Sequence, residues 1–180
     1  MASNLPLDSL FGGGAKLKVA IFGHEPPAGE EAFSFRSSVV EPGYFDTMGI
    51  RLLKGRDFAA GDRTGAAGAV IVNQTFARRF WPQGDPIGQW IKLLPQGSGG
   101  SVTECQIVGV VRDVKQLSFG ETPAPYVYRP FAQAMRGQMT VIVRGPDEAS
   151  MAAAFRSELA AIDRAMPVLL VTTIGAYLRL

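Results

Sequence analysis

The first part of the chain alternates between apolar residues and polar or small ones. Over residues 16–22, Leu17, Val19 and Ile21 alternate with polar or small neighbours. The same period of two recurs over residues 32–40. Because successive side chains of a strand point to opposite faces, a period of two places the apolar set on one buried face. Both segments are therefore predicted to be half-buried strands.

Further apolar runs, many of them rich in β-branched or aromatic residues, predict more strands. They cover residues 50–53, 69–72, 89–94, 102–114, 126–129, 138–144 and 168–172. The run 102–114 is the longest, and its density of β-branched residues is typical of a central strand. Gly109 inside it predicts a bulge or a close packing contact. Pro123 and Pro125 predict one of two positions for the run 126–129. Either the run lies at a sheet edge, or the two prolines mark the start of its strand.

A single turn of helix is predicted between the second and third strands. Pro42 suits its start, and Tyr44, Phe45 and Met48 give it an apolar face. Gly49 permits the positive φ that would end it. One turn is too short for an independent helix, so we expect it to plug the core.

Two longer helices are predicted from capping residues and apolar spacing. Asn73 is a good N-cap for a helix over residues 74–81, which Pro82 stops. Asp147 suits the positive end of a helix over residues 147–165. An apolar stripe runs along this second helix. Its members are Met151, Phe155, Leu159 and Ile162.

The order of elements is several strands, two helices of different size and a last strand, which is an α+β pattern. We predict a mixed sheet covered on one face by the long helix, with a second small strand-rich lobe inserted. The predicted main lobe comprises residues 1–40 and 102–180, and the inserted lobe comprises residues 41–101.

Composition restricts the classes of function. With 180 residues and 47% hydrophobic content, the chain can form one core or two small lobes that share a sheet. The net charge is +2, and the basic residues are scattered except for Arg78 and Arg79, which argues against nucleic-acid binding. Every apolar run is far shorter than the roughly 20 residues that cross a bilayer, and no signal peptide is evident. We therefore expect a soluble chain.

The candidate chemistry is sparse. His24 is the only histidine and lies in a predicted loop, where an exposed residue is favoured over a catalytic one. Cys105 is the only cysteine and lies among apolar strand residues, which favours a buried, inert thiol. Four carboxylates in turns are expected to close those turns or to form surface ion pairs: Asp57, Asp62, Asp85 and Asp113. We predict no catalytic, cofactor-binding or metal site.

Several segments together carry a resemblance to a known family. They are VVEPGYFDTMGI at 39–50, LKGRDF at 53–58, VIVNQTFARRFWP at 70–82, DPIG at 85–88, IVGVVRDV at 107–114 and YVYRP at 126–130. In this order they resemble the extracytoplasmic core domain of MacB-type, FtsX-like ABC transporter permeases. The resemblance covers roughly residues 5–180, whereas each motif alone is only a strand, turn or helix signal.

The resemblance implies a non-catalytic domain without cofactors on the periplasmic side of the inner membrane. Such a domain would relay the motion of transmembrane helices in an efflux or lipoprotein-export permease. Its implied partners are those helices, a cytoplasmic ATPase, a second copy or paralogous permease, and an adaptor or lipoprotein. The resemblance also implies an upstream strand and helix that this chain lacks, so residues 16–22 or another edge are expected to be less covered.

Aromatic and arginine side chains are the candidates for partner docking, since such residues concentrate at interfaces. The candidates are Arg78, Arg79, Trp81 and Trp90. Core anchoring of the tryptophans and a solvated helix face for the arginines are the alternatives. Two other functions stay open at this point. One is a free-standing extracytoplasmic module that binds a ligand or peptide between the lobes, and the other is a hydrolase of unknown type.

Overall fold

The computed structural model describes residues 1–2, 15–95, 101–115, 120–135, 139–165 and 171–177. Its strands are β1 (Ala15–Ile21), β2 (Phe33–Val40), β3 (Leu52–Gly55), β4 (Gly68–Asn73), β5 (Trp90–Leu93), β6 (Thr103–Val111) and β7 (Tyr126–Pro130). Its helices are α1 (Tyr44–Thr47), α2 (Gln74–Phe80), α3 (Glu148–Ile162) and α4 (Ile174–Tyr177), with a 3-10 turn at Phe131–Gln133. The chain forms two compact units, Met1–Ile142 and Val143–Leu180. No helix of the described residues combines the length and hydrophobicity needed to cross a membrane.

The strands of the first unit form one mixed sheet with the order β3-β6-β4-β7-β2-β1-β5. β5 also pairs with β6, so six strands form a closed circuit and β3 lies outside it. The pairs β4–β6 and β2–β7 are parallel, and the other pairs are antiparallel. The predicted α+β class with a mixed sheet is confirmed. Closure of the circuit is not among the sequence predictions, because periodicity identifies a buried face but not the neighbouring strand.

One core fills the interior of this circuit. All six strands contribute alternate side chains to a single cluster of buried residues, which is possible only if their inner faces surround it. The short helix α2 packs against the same cluster through Phe76, Ala77 and Phe80. The helix that packs against this inner core is thus α2. The predicted cover of the sheet by the long helix α3 stays a prediction.

A second core lies on the opposite face of β4 and β7. Ile71 and Tyr128 point to this side and pack with Tyr44 and Phe45 of α1. Tyr44 and Phe45 are both buried, and Gly49 has φ +68° directly after the turn. The predicted one-turn plug is therefore confirmed, with its ending at a glycine.

Gly109 produces both of the features predicted for it. The register of β4 against β6 shifts from Val70 opposite Ile107 to Ile71 opposite Gly109, which leaves Val108 as an extra residue. Ile107 points to the inner core and Val108 to the second core, and because of the bulge the next residue in the inner core is Val110, three positions after Ile107 instead of two. A Cβ on Gly109 would lie 2.4 Å from the carbonyl oxygen of Arg56, so only glycine lets the chain leading out of β3 approach β6.

Several predicted elements are corrected by the structure. The third strand begins at Leu52 rather than at residue 50, because Ile50 turns into the second core. In the described part of 138–144, only Thr140 forms a β-bridge, with Ala2. The last predicted strand falls partly outside the described residues, and Val171 and Thr172 are not in a strand.

Two predicted edge strands are paired on both sides. β1 lies between β2 and β5, so it is not the less covered edge, and the alternative that another edge is less covered stays a prediction. β7 lies between β4 and β2, so it is not an edge strand. The prolines before it mark the start of the strand, which is the second of the two predicted alternatives. The long helix is confirmed in a shorter form, with the Asp147 carboxylate accepting a bond of 3.0 Å from the backbone N–H of Ser150.

The predicted lobe boundaries do not separate two sheets. β3, β4 and β5 come from the segment assigned to the inserted lobe, and they pair with β6, β7 and β1 of the other lobe. The compact units instead divide between Ile142 and Val143. A division into lobes with the predicted boundaries stays a prediction.

Candidate functional site

The outer faces of β1, β5 and β6 form the base of the candidate site. Ile91 lies between Ile21 and Cys105, and all three point into the inner core. Because side chains alternate along a strand, the neighbours of Ile91 point outward. These neighbours are Trp90 and Lys92.

A shallow depression of about 430 Å³ opens on this surface. Its lining residues are Phe22, Trp81, Gln89, Trp90 and Glu104. Phe22 directly follows β1 and is 58% exposed, and Trp90 is 40% exposed. Trp81 is the C-cap residue of α2 and is half-buried. The structure thus brings together Trp81 and Trp90, which are the only two tryptophans of the sequence.

Glu104 gives the lining of the depression a charged group, and Lys92 pairs with it. Lys92 is opposite Glu104 in the register of β5 and β6, and its Nζ lies 3.2 Å from Glu104 Oε1. The same Nζ lies 5.0 Å from the centre of the Phe22 ring. The ammonium group therefore has a carboxylate and an aromatic face as neighbours, both of which attract a cation.

The two arginines of α2 are not part of the lining. The Arg79 guanidinium lies over the rings of Phe33 and Phe80, at 5.6 and 5.2 Å from their centres. This stacking attaches the exposed end of α2 to β2. Arg78 is exposed on α2. A docking role for Arg78 and Arg79 stays a prediction.

His24 is half-buried rather than fully exposed, which corrects the expectation from its loop sequence. Its ring packs edge-on against Phe80, with 5.2 Å between ring centres, and against Trp81, at 6.0 Å. Such edge-to-face contacts are favourable and restrict the orientation of both partners. His24 therefore positions Trp81 at the depression.

Cys105 is buried under the same part of the sheet. Burial raises the pKa of its thiol to about 11, an effect that the positive charge of Arg129 only partly offsets. At neutral pH the group is therefore a protonated thiol, which is a poor nucleophile. The prediction of a buried cysteine is confirmed, and its inertness stays a prediction.

Three of the four carboxylates singled out in the sequence close turns or form local pairs, whereas Asp113 corrects that expectation by binding residues at the start of α2 that are distant in sequence. Asp57 accepts bonds from the N–H groups of Phe58 and Gly43, and Asp85 accepts one from the N–H of Ile87. Asp113 accepts bonds from the side chains of Asn73 and Thr75 and from the backbone of Thr75. Within the described ranges, no three metal-ligating side chains come together.

Arg56 and Asp62 form a bidentate ion pair, with oxygen–nitrogen distances of 2.7 and 2.9 Å. The Asp62 side chain is only 9% exposed, which corrects the expectation of a pair in the open solvent, whereas that of Arg56 is 52% exposed. The hydrogen bond from Arg56 is the main cause that lowers the pKa of Asp62, and the N–H of Ala59 adds to it against the opposing effect of burial.

Acid is expected to weaken this pair. Because the folded state lowers the pKa of Asp62, the carboxylate stabilises the fold above its ordinary pKa, and this contribution disappears as the pH falls through the lowered value. When the pH falls from about 7 to about 3, the free energy of unfolding of the parent chain should decrease by on the order of 1 kcal/mol more than that of Asp62→Asn. The difference is this small because water screens the half-exposed Arg56. Denaturant titrations at several pH values measure this difference.

Asp46→Asn is the matched control, because Asp46 is an exposed carboxylate at α1. It should retain the acid sensitivity of the parent chain. If Asp62→Asn and Asp46→Asn lost stability in parallel with the parent chain, the pair would not be the source of the effect.

Comparison with known proteins identifies the family to which this architecture belongs. A family model described as the MacB-like periplasmic core domain matches residues 19–161. The chain belongs to this family. The resemblance found from the sequence motifs is thereby confirmed, and so is the periplasmic location that it implied.

Individual relatives agree with this assignment of a MacB-like domain. The chain is 32% identical over 118 residues to the macrolide export ATP-binding/permease protein MacB 1 of Aeromonas hydrophila, a match that covers 62% of the chain and 17% of that protein. The chain therefore spans about a sixth of the relative.

Two solved structures share the fold. The periplasmic region of MacB from Actinobacillus actinomycetemcomitans has a TM-score of 0.55 at 14% identity, covering 82% of this chain and 63% of that one. A domain of a putative permease from Porphyromonas gingivalis has a TM-score of 0.51 at 16% identity, covering 99% and 82%. At these identities the similarity concerns the fold alone.

Sequence reasoning missed part of the depression of this MacB-like domain. Trp81 and Trp90 were candidates because of their residue type, whereas Phe22, Lys92 and Glu104 were not. The sequence does contain a signal for Phe22. The inward-facing residues of the alternating segment 16–22 end at Ile21, so the next residue, Phe22, faces outward. Lys92 and Glu104 become neighbours only through the register of β5 and β6.

Proposed function

We propose that this MacB-like domain is a non-catalytic periplasmic part of an ABC transporter permease. In this proposal it transmits the movement of transmembrane helices to a partner bound outside the membrane. The closed circuit of six strands around one core carries the proposal. Bending such a body would break strand pairing and open a close-packed interior, so an applied displacement moves it as a unit.

The depression at Trp81 and Trp90 is the proposed docking surface. Exposed aromatic side chains at a shallow concave site are typical centres of protein interfaces. The proposed partners are the permease's own membrane helices and ATPase, together with a second copy, a paralogous permease or an adaptor. The A. hydrophila relative is by name a macrolide export protein, which supports efflux over lipoprotein export as the class of transport.

Distance measurements in the full-length permease test the relay. Spin labels on cysteines that replace Lys16 and Lys54 report on β1 and β3, two exposed positions of the domain. The buried thiol of Cys105 should remain unlabelled. We expect the distance between the two labels to be the same with and without ATP. The distance from the Lys16 label to a label on the ATPase should change with ATP.

Either of two results would contradict the relay. One is a change of the distance within the domain as ATP binds, because the domain would then deform rather than transmit. The other is a distance to the ATPase that ATP leaves unaltered. Unlabelled Cys105 in the parent protein serves as the background control.

A further inference from the structure

Three aromatic residues and a carboxylate line one depression, and the chain's own ammonium group lies next to the carboxylate and one of the rings. The aromatic residues are Phe22, Trp81 and Trp90, and the carboxylate is Glu104. Lys92 Nζ is 3.2 Å from the carboxylate and 5.0 Å from the centre of the Phe22 ring. This arrangement is a cation site by its chemistry, because ring faces and a carboxylate both attract positive charge.

We propose that this depression binds an organic ammonium ion, namely a tertiary or quaternary amine with an apolar body. A quaternary ammonium has no N–H to donate, so aromatic faces and one carboxylate satisfy it without further acceptors. The volume of about 430 Å³ lies in the range typical of small-molecule sites. This inference does not depend on the relay; it concerns the same depression as the proposed docking surface and names the chemistry of the group that the depression accepts.

The side chain of Lys92 acts as a tethered competitor in this proposal. Its ammonium neutralises Glu104 and lies over the ring of Phe22, where the ligand cation would lie. A primary ammonium is a strongly hydrated point charge, whereas an alkylated amine is more weakly hydrated and gains more from contact with the rings. The ligand therefore displaces Lys92 toward the solvent, to which this half-buried side chain has access.

The cross-strand positions keep this arrangement in place. Glu104 is opposite Lys92, and Gln106 is opposite Trp90, on outward positions of β5 and β6. Both strands belong to the closed circuit. The Trp90 ring and the Glu104 carboxylate are therefore held by strand pairing, which limits the reorganisation that binding requires of them.

Tryptophan fluorescence of the 180-residue chain tests the proposal directly. The sequence has two tryptophans, and both line the depression, so the whole signal comes from the site. The probe is choline chloride, with sodium chloride at the same ionic strength as one control. The second control is 3,3-dimethylbutan-1-ol, in which carbon replaces the charged nitrogen. We expect a saturable change with choline, no saturable change with sodium chloride, and at least about fivefold weaker binding of the neutral alcohol.

Matched variants separate the contributions. Lys92→Met removes the competitor but keeps an unbranched apolar side chain, and it should tighten choline binding about fivefold. Lys16→Met is its control, because Lys16 is an exposed lysine at the opposite end of β1 from Phe22. The affinity of this variant for choline should equal that of the parent chain.

Phe22→Ala and Glu104→Gln should each weaken choline binding about fivefold. All four positions are on the surface or only half-buried, so the fold is expected to persist, as the thermal unfolding curve would report.

Three results would overturn the proposal. The first is equal binding of choline and its neutral isostere, which would indicate a simple apolar patch. The second is no gain of affinity in Lys92→Met. The third is binding to phosphatidylcholine vesicles without binding of free choline, which would make the depression a membrane-contacting surface. None of these results bears on the distance measurements that test the relay.

Discussion

Asn73→Ala is expected to lower the free energy of unfolding by about 4 kcal/mol, which is a large share of the stability of a typical domain. Asn73 is buried, and its side chain makes four hydrogen bonds. Its Oδ1 accepts from the N–H groups of Phe76 and Tyr126, and its Nδ2 donates to Asp113 and to the carbonyl of Ala124. Alanine leaves several of these groups buried without a partner and also removes the N-cap of α2.

Denaturant unfolding followed by tryptophan fluorescence measures this effect in the first unit, which contains both tryptophans. Asp85→Ala is the matched control. It removes an exposed turn bond to the N–H of Ile87 and an exposed ion pair with Lys54, so its cost should be below about 1 kcal/mol. Equal losses in the two variants would show that burial of the Asn73 network contributes nothing.

Gly109→Ala should lower the free energy of unfolding by about 3 kcal/mol. The added Cβ would lie 2.4 Å from the carbonyl oxygen of Arg56 and 3.1 Å from Cγ1 of Ile71. The nearer neighbour is backbone, so it cannot rotate away, and the chain that leads out of β3 must move off β6. The backbone N–H of Arg56 donates to the carbonyl of Val108 at 2.9 Å, and its hydrogen exchange should accelerate when this contact opens.

Gly61→Ala is the control for the change of residue type. A Cβ on Gly61 would have no neighbour within 4 Å, so its stability should stay within about 0.5 kcal/mol of the parent chain. If Gly109→Ala behaved like Gly61→Ala, the close approach of the two backbones at the bulge would be incorrect.

The candidate site was only half accessible to sequence reasoning. Trp81 and Trp90 could be named because aromatic residues concentrate at interfaces. Their proximity could not, since it depends on α2 packing against the strand circuit and on the register between β5 and β6. Glu104 was not a candidate, because only strand pairing places it opposite Lys92.

Local signals in the sequence were sufficient for most elements of the first unit. Alternation identified β1 and β2, and the amide of Asn73 identified the start of α2, because these features depend on residues close together in the chain. The bulge at Gly109 was also predictable from neighbouring residues, since a glycine within a strand of β-branched residues usually marks a bulge or a close packing contact.

The tertiary structure decided which strands became neighbours and therefore what the surface can bind. Nothing local in β5 specifies that it pairs with both β1 and β6, yet this pairing closes the circuit. The segment 139–144 shows the converse, since its strand-forming residues make only the bridge at Thr140. Strand propensity reflects the chain itself, whereas a ladder of hydrogen bonds needs a second strand at a distance that no local pattern encodes.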